Sequence, residues 1–413
     1  MSAYTHREKL FNLMPDNSMV ICYSGIPIHS NEDDYYPFEV NSQFYYLTGI
    51  EWHNMVLVMN KTNGTCTDYL FIEESDPSVE RWTGKMPSIA EVKEISGISS
   101  VKYLEELNDI LDTNFTRTYI DTVYFDTYKE SSMDLPDYNL VKANEFKSKY
   151  PAIKIMDLHR LVLPLRRVKD EEEIDNIKKA IDITKQGLLN VMSNIKPGMM
   201  EYQVQADFEY VCRKLGARKF AFPTIAGSGL NGCMLHYETN QDEICDGELI
   251  LLDLGAKYKN YCSDITRTYP VNGRFSKRQR EYYEIVLKAN KEVTKAAKPG
   301  VTLRDLQKIA RDVIGEGLMK MSKINSKEEV GKYYMHGVSH SIGIDAHDIN
   351  LGNDCIEAGW VISNEPGVYI DEENIGIRIE DDLLITEDGC VVLSQDIIRE
   401  PDEIEEYITN ANK

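Results

Sequence analysis

Residues 248–268, Glu-Leu-Ile-Leu-Leu-Asp-Leu-Gly-Ala-Lys-Tyr-Lys-Asn-Tyr-Cys-Ser-Asp-Ile-Thr-Arg-Thr, restrict the fold more than any other stretch, because an apolar run ends in Asp253 and a second acid, Asp264, follows. The pattern reads as two strands joined by a tight turn near Tyr258-Lys259, which would set Asp253 and Asp264 opposite each other. Side chains paired across one sheet face have Cβ atoms about 4.5–5.5 Å apart, so two carboxylates there repel unless a cation or proton lies between them. Asp253 also closes an apolar run, where an unpaired charge is costly. Taken alone, the pair leaves a lesser alternative, acids facing solvent at the mouth of a hairpin.

Three further segments repeat the theme. His336-Gly-Val-Ser-His340-Ser-Ile-Gly-Ile-Asp-Ala-His347 holds three of the chain's eight histidines. Its glycines and β-branched residues disfavour a regular helix, so a loop or single turn is expected rather than a helical zinc pair. Trp360-Val-Ile-Ser-Asn-Glu365-Pro-Gly is an apolar strand ending in an acid, with Pro366 fixing the exit. Ile375-Gly-Ile-Arg378-Ile-Glu380-Asp-Asp alternates, so the isoleucines share one face while Arg378 and Glu380 share the other. Each segment has an ordinary reading by itself: hydrogen-bonded histidines, a solvated strand face, a surface ion pair. Together, four carboxylates and an imidazole on separate segments suit a pair of manganese, cobalt, iron or zinc ions. Two such ions about 3.5–4 Å apart share a hydroxide, lower its pKa and stabilise the oxyanion formed when it attacks a carbonyl. That is chemistry for hydrolysing an amide.

At 413 residues the chain exceeds the roughly 250–300 residues at which single cores stop growing, so two domains are expected. Residues 1–160 mix strand-like runs, Met19–Tyr23 and Met55–Met59, with turn clusters such as Lys61-Thr-Asn-Gly64, and read as a small α/β domain. The aromatics of Tyr35-Tyr36-Pro37-Phe38 and Phe44-Tyr45-Tyr46 read as packing groups. The second domain, 161–413, opens with Asp170 and Glu173 as N-cap and N3 acid of a helix carrying Ile174, Ile177, Ile181 and Leu188, ended by Pro197-Gly198. Helices near 204–215, 278–297 and 303–321 then alternate with runs that look antiparallel, which predicts an α+β domain rather than a doubly wound parallel sheet.

Acids outnumber lysines and arginines by 68 to 46, and the net charge of −22 repels phosphates and anionic lipid, so neither nucleic acid nor a membrane surface is an expected partner. The first residues lack an apolar core of signal-peptide length and no run spans a bilayer, so a cytoplasmic protein is expected. The eight cysteines occur singly, without CxxC, and read as reduced thiols.

Leu-Leu-Asp253-Leu-Gly, Ser-Asp264-Ile-Thr-Arg-Thr, His336-Gly-Val-Ser-His340, Asn-Glu365-Pro-Gly-Val-Tyr369 and Gly-Ile-Arg378-Ile-Glu380-Asp-Asp resemble, in order and spacing, the motifs of the pita-bread metallopeptidases in their Xaa-Pro aminopeptidase branch. The likeness extends to Leu165-Arg-Arg-Val-Lys-Asp-Glu-Glu-Glu-Ile174, Gly227-Ser-Gly-Leu-Asn-Gly-Cys-Met-Leu-His236-Tyr, Tyr36-Pro-Phe and Asn41-Ser-Gln-Phe-Tyr-Tyr-Leu-Thr-Gly49, which is nearly the whole chain. It implies a pita-bread catalytic domain after a smaller α/β N-terminal domain, acting on peptides with proline in second position. It implies two divalent ions, manganese above cobalt, zinc or iron, bridged by Asp264 and Glu380. Asp253 would chelate one ion and His340 and Glu365 the other. Glu365 would also be general base, taking a proton from a metal-bridging water as it attacks. His236 and His347 would steady the substrate and the tetrahedral intermediate, His336 would line a proline pocket, and Arg378 would orient Asp253. By the same likeness Tyr369 sits beside the site, and Trp82 reaches the active site of a neighbouring subunit in a homodimer or homotetramer. Ser341 departs from the pattern, standing where relatives often carry a bulky aromatic, which bears on pocket shape and not on the metals.

Three rivals remain at this point. Gly227-Ser-Gly-Leu-Asn-Gly232 fits the dinucleotide pattern GxGxxG, but only a short polar stretch separates it from Asp253, too little for a crossover helix. A non-catalytic binding module on the same fold would be expected to have lost ligands, and all five are present. A prolidase shares the metal set but cuts only dipeptides; His336-Gly-Val-Ser-His340 and Tyr36-Pro-Phe favour the aminopeptidase.

Overall fold

In the computed structural model, which describes residues 2–131, 133–348 and 355–411, the Asn63-Gly64 dipeptide makes the two-residue connection of a hairpin, at φ 51° and 72° with Thr62 opposite Thr65. Positive φ at both central residues gives the turn whose twist matches right-twisted strands. The hairpin belongs to the first of two units, residues 1–166 and 167–413. In the first, β1 (Ser18–Tyr23), β2 (Val56–Thr62), β3 (Thr65–Ile72), β4 (Val101–Tyr103), β5 (Thr122–Phe125) and β6 (Lys154–Asp157) form one sheet in the order β4-β3-β2-β1-β5-β6. β1, β2 and β3 pair antiparallel, and β4, β5 and β6 add in parallel. Met19, Ile21, Val58, Phe71, Val123 and Phe125 build a core on one face, while Val20, Cys22, Leu57 and Met59 are equally buried on the other. A sheet covered on both faces reads as continuous apolar runs, as β1 and β2 do.

The helices of this unit are α1 (Ser2–Leu13), α2 (Ser42–Thr48), α3 (Pro77–Thr83), α4 (Ile89–Ser96), α5 (Leu107–Arg117) and α6 (Tyr138–Lys149). The aromatics expected to pack divide: Phe44 and Tyr46 are buried on α2, but Tyr35 and Tyr36 are 50% and 60% exposed.

After α7 (His159–Arg167) the second unit begins with α8 (Glu171–Asn194), capped by Asp170 and Glu173 in a reciprocal capping box. Ile177, Ala180, Ile181, Leu188 and Val191 bury one stripe of it. Then come α9 (Glu201–Lys214), β7 (Ile225–Ser228), β8 (Leu249–Leu254), β9 (Lys257–Tyr258), β10 (Tyr261–Cys262) and β11 (Ile265–Pro270). They are followed by α10 (Lys277–Ala296), α11 (Leu303–Lys320), β12 (Val361–Asn364), β13 (Gly367–Ile370), β14 (Ile375–Arg378), β15 (Asp381–Ile385), β16 (Cys390–Val392) and α12 (Pro401–Ala411). The small sheets β11-β8-β7, β10-β9, β12-β15-β16 and β13-β14 are antiparallel throughout, as an α+β unit requires.

The hairpin β8–β11 differs from expectation in register. Lys259 and Asn260, at φ 46° and 60°, form its turn, so Asp253 pairs with Thr266 rather than with Asp264. Asp264 stands two residues nearer the turn and, by the two-residue period of a strand, on the same face. The carboxylates are diagonal neighbours. Helix α8 pins this hairpin: Ala256 N donates to Thr184 Oγ1 at 2.9 Å and Thr184 Oγ1 lies 2.7 Å from Ser263 Oγ. The glycines of the GxGxxG stretch serve a close approach and no dinucleotide turn. A short 3-10 helix, Gly229–Cys233, follows β7, and a Cβ on Gly376 of β14 would stand 1.9 Å from Gly232 O.

Gly255 lets the two strands meet, because a Cβ there would lie 1.9 Å from the Ser263 carbonyl oxygen. Gly255→Ala is therefore expected to cost about 1–3 kcal/mol through forced backbone displacement. Thermal unfolding checks this, and an unchanged midpoint would show that the hairpin has slack.

Candidate metal centre

Four antiparallel segments end where their acids meet. Asp253 lies on β8, Asp264 just before β11, Glu365 just after β12, and Glu380 between β14 and β15. Residues 336–348 form the irregular loop expected of them. Ser341 bridges Ile362, Ser363 N donates to His340 O at 2.9 Å, and Glu365 N donates to Val338 O at 2.9 Å. The loop is thus held along β12, which brings His340 beside Glu365. A cavity of about 460 Å³ is lined by Asp253, Asp264, His340, Glu365 and Glu380, by His236, His336, His347 and Arg378, and by an apolar wall of Phe222, Pro223, Ile225, Leu235 and Ala346. All nine site residues expected from the sequence line this one cavity.

His340 Nε2 is 3.5 Å from Asp264 Oδ2 and 3.4 Å from Glu365 Oε1. Ligand atoms of Asp264, His340 and Glu380 lie within 4.8 Å of one another. His340 Nδ1 is 3.2 Å from Ser341 O, an acceptor only, so Nδ1 carries the proton and the Nε2 lone pair is turned to the carboxylates. The His340 ring stacks on His347 at 4.0 Å. Arg378 organises the other side, donating from Nη2 to Asp253 Oδ2 at 2.7 Å, from Nε to Thr266 Oγ1 at 3.1 Å and from Nη1 to the Tyr369 hydroxyl at 2.8 Å. Thr266 Oγ1 donates onward to Glu380 Oε2 at 2.7 Å. Tyr369 donates to His336 Nε2 at 2.8 Å, and His336 Nδ1 donates to Gly337 O at 2.7 Å.

Burial, together with the charges of Glu380, Asp253, Asp382 and Glu365, holds the Asp264 carboxyl well above the usual range. Glu380 is raised likewise by burial, Glu365 and Asp253. Burial lifts Glu365 to about 7, with Arg378 pulling the other way. Burial also lowers His340 and His347 and takes His336 down to about 4, so neutral imidazoles are favoured. Asp253 Oδ1 is buried without a hydrogen-bond partner among the described residues. Crowded carboxylates that resist ionisation, a neutral imidazole with a free lone pair and an orphaned carboxylate oxygen fit a pair of divalent cations.

Below this layer lies a set of charges that sequence reasoning did not single out. Asp382 Oδ2 accepts from Asp264 N at 3.2 Å. The fully buried Arg267 donates to Asp381 Oδ1 at 2.8 Å, and Ser394, Asn290 and Arg399 also bond Asp381. Removing one partner of such a buried pair costs about 3–5 kcal/mol. The signal was present in Thr266 and Arg267, which follow Asp264, and in the acids after Glu380. Trp82, 90% exposed on α3, and Ser341, buried against Ile362, do not line the cavity.

A family model described as metallopeptidase family M24 matches residues 175–387, and one described as aminopeptidase P, N-terminal domain, matches residues 3–124. The Xaa-Pro aminopeptidase of Escherichia coli (strain K12) is 33% identical over 431 residues, covering 98% of this chain and 97% of its own. A Bacillus anthracis structure assigned as an aminopeptidase P superposes with a TM-score of 0.97 at 41% identity, covering 99% of this chain and 98% of that one. Zinc-substituted Escherichia coli aminopeptidase P in complex with product superposes at 0.90 with 31% identity, covering 100% and 98%.

The raised carboxyls predict a pH signature. A carboxyl at about 7, up from 4.5, contributes stability that is present while it is protonated and lost as pH rises through about 7. Cation binding needs the anion, so the stabilisation by added manganese should grow over the same window. Melting of chelated and manganese-loaded protein at about pH 6 and about pH 8 tests this, and equal increments at both would count against it.

Proposed function

The chain belongs to metallopeptidase family M24, in its Xaa-Pro aminopeptidase branch, and is a metallo-aminopeptidase with the pita-bread fold; on that premise we propose that it removes the residue preceding proline at a peptide N-terminus, with two divalent ions held by Asp253, Asp264, His340, Glu365 and Glu380. The observation that carries the ligand assignment is their convergence on one cavity with Asp253 Oδ1 buried and unpartnered. Asp264 and Glu380, the most deeply buried of the four carboxyls in this set, are the proposed bridges. An oxygen-rich donor set with a single nitrogen suits manganese, with cobalt, zinc or iron as substitutes. Bound by these residues, the ions would lower the pKa of a water and offset the charge of the carboxylate cluster.

The chain's own groups do the rest. Glu365, facing the cavity beside His340, is the base on this reading: it takes the proton of the attacking water and delivers it to the departing proline nitrogen. Ser363 Oγ, 3.3 Å from Glu365 Oε1 and accepting from His340 N, keeps that carboxylate in register with His340. His236 and His347 steady the substrate carbonyl and the tetrahedral intermediate, and His336 lines the wall that receives the proline ring. Arg378 orients Asp253 through a short charge-assisted bond. On the same reading the enzyme is cytoplasmic and forms a homodimer or homotetramer in which the exposed Trp82 meets a neighbour's cavity.

Hydrolysis of Ala-Pro and Ala-Pro-Ala-Ala with manganese and with chelator decides the activity. Manganese-dependent release of alanine from the longer peptide is expected; cleavage of the dipeptide alone would make the enzyme a dipeptidase, and cleavage of neither would end the proposal. Asp264→Asn and Glu380→Gln should lose both bound manganese and turnover, whereas His347→Ala should retain manganese and turn over more slowly. Metal loss in His347→Ala would refute its assigned role.

A further inference from the structure

Glu201, the first residue of α9, is 0% exposed, yet it does not line the cavity. Its Oε1 accepts from Ser228 N at 2.8 Å, Ser228 Oγ at 2.9 Å and Asn231 Nδ2 at 3.1 Å. Its Oε2 accepts from the Tyr237 hydroxyl at 2.8 Å and Asp242 N at 3.0 Å. All five donors are neutral, and all belong to residues 228–242, the segment whose Leu235 and His236 line the cavity. A buried carboxylate is costly without such donors, so the acid and the segment stabilise each other.

The segment is also held elsewhere: Gly232 packs against Gly376 of β14, and Glu201 N donates to Asp242 O at 3.0 Å. Asn240 ties its far end back to the start of β7, donating from Nδ2 to Thr224 O and accepting from Ala226 N. Leu235 and Tyr237, on either side of His236, pack against Ile225, Leu251 and Tyr369. Burial and then the Glu201 contact push the Tyr237 phenol up to about 12, so it remains a donor at neutral pH. His236 therefore sits between two residues whose positions are set by packing and, through the Tyr237 hydroxyl, by Glu201.

We propose that Glu201 is a positioning residue for catalysis, a buried acceptor of five hydrogen bonds that fixes residues 228–242 and so places His236 at the substrate. This rests on the metallopeptidase reading in which His236 steadies the substrate. Glu201→Gln puts an amide N–H among donors. In the manganese-loaded full chain it should keep its manganese content, speed amide hydrogen exchange across 228–242 and lower kcat on Ala-Pro-Ala-Ala by about 10- to 100-fold, since a misplacement of ~1 Å can cost about 10²-fold. Tyr237→Phe, which removes one donor, should give a smaller loss of the same kind. In a His236→Ala background either change should add little, because the group being positioned is gone. Wild-type kcat in both variants, or losses that multiply fully with His236→Ala, would overturn the proposal. If Glu201→Gln does not fold, Tyr237→Phe against His236→Ala decides the question alone. If the wild-type enzyme cleaves neither peptide, the peptidase reading fails, and unchanged exchange across 228–242 in Glu201→Gln would separately refute the anchoring.

Discussion

Mutual repulsion among buried carboxylates is the constraint on which the second unit turns. Asp253, Asp264, Glu365 and Glu380 face one cavity with, among the described residues, the single guanidinium of Arg378. In a medium that screens poorly, such a cluster opposes its own assembly. The chain answers by rigidity around the cluster. Each acid is at a strand end, where the backbone is committed to a ladder, and the strands are short and antiparallel, so four of them can bring their ends to one place. Arg267 and Asp381, with the polar groups that bond them, occupy the layer beneath, where flexible packing would let the acids separate.

What the sequence disclosed followed from pattern. An acid terminating an apolar run is legible because it violates the ordinary rule of burial, and the capping box of α8 is legible because its chemistry is local. Register was harder. Lys259 and Asn260 form a turn of the kind usually marked by Asn-Gly, as Asn63-Gly64 marks the first hairpin. Lysine at positive φ leaves no signal, so pattern alone centres the turn one residue early, although the two-residue period keeps Asp253 and Asp264 on one face. The exposure of Tyr35 and Tyr36 was illegible for another reason: an aromatic residue has the same composition whether it packs or not.

The supporting polar layer was the least legible part of the site. Thr266, Asp382 and Glu201 act through bonds to residues distant in the chain, and nothing in their neighbours' spacing announces those partners. Glu201 in particular looks like an ordinary acid in the first turn of an amphipathic helix, a position favoured by the helix dipole alone.

Both ring nitrogens of His336 are already engaged, Nδ1 by the Gly337 carbonyl and Nε2 by the Tyr369 hydroxyl, whose own acceptor capacity is used by Arg378. This histidine has no proton to give a substrate and no lone pair to receive one. What it offers the cavity is the flank of an aromatic ring held at a fixed angle, a surface that recognises by contour.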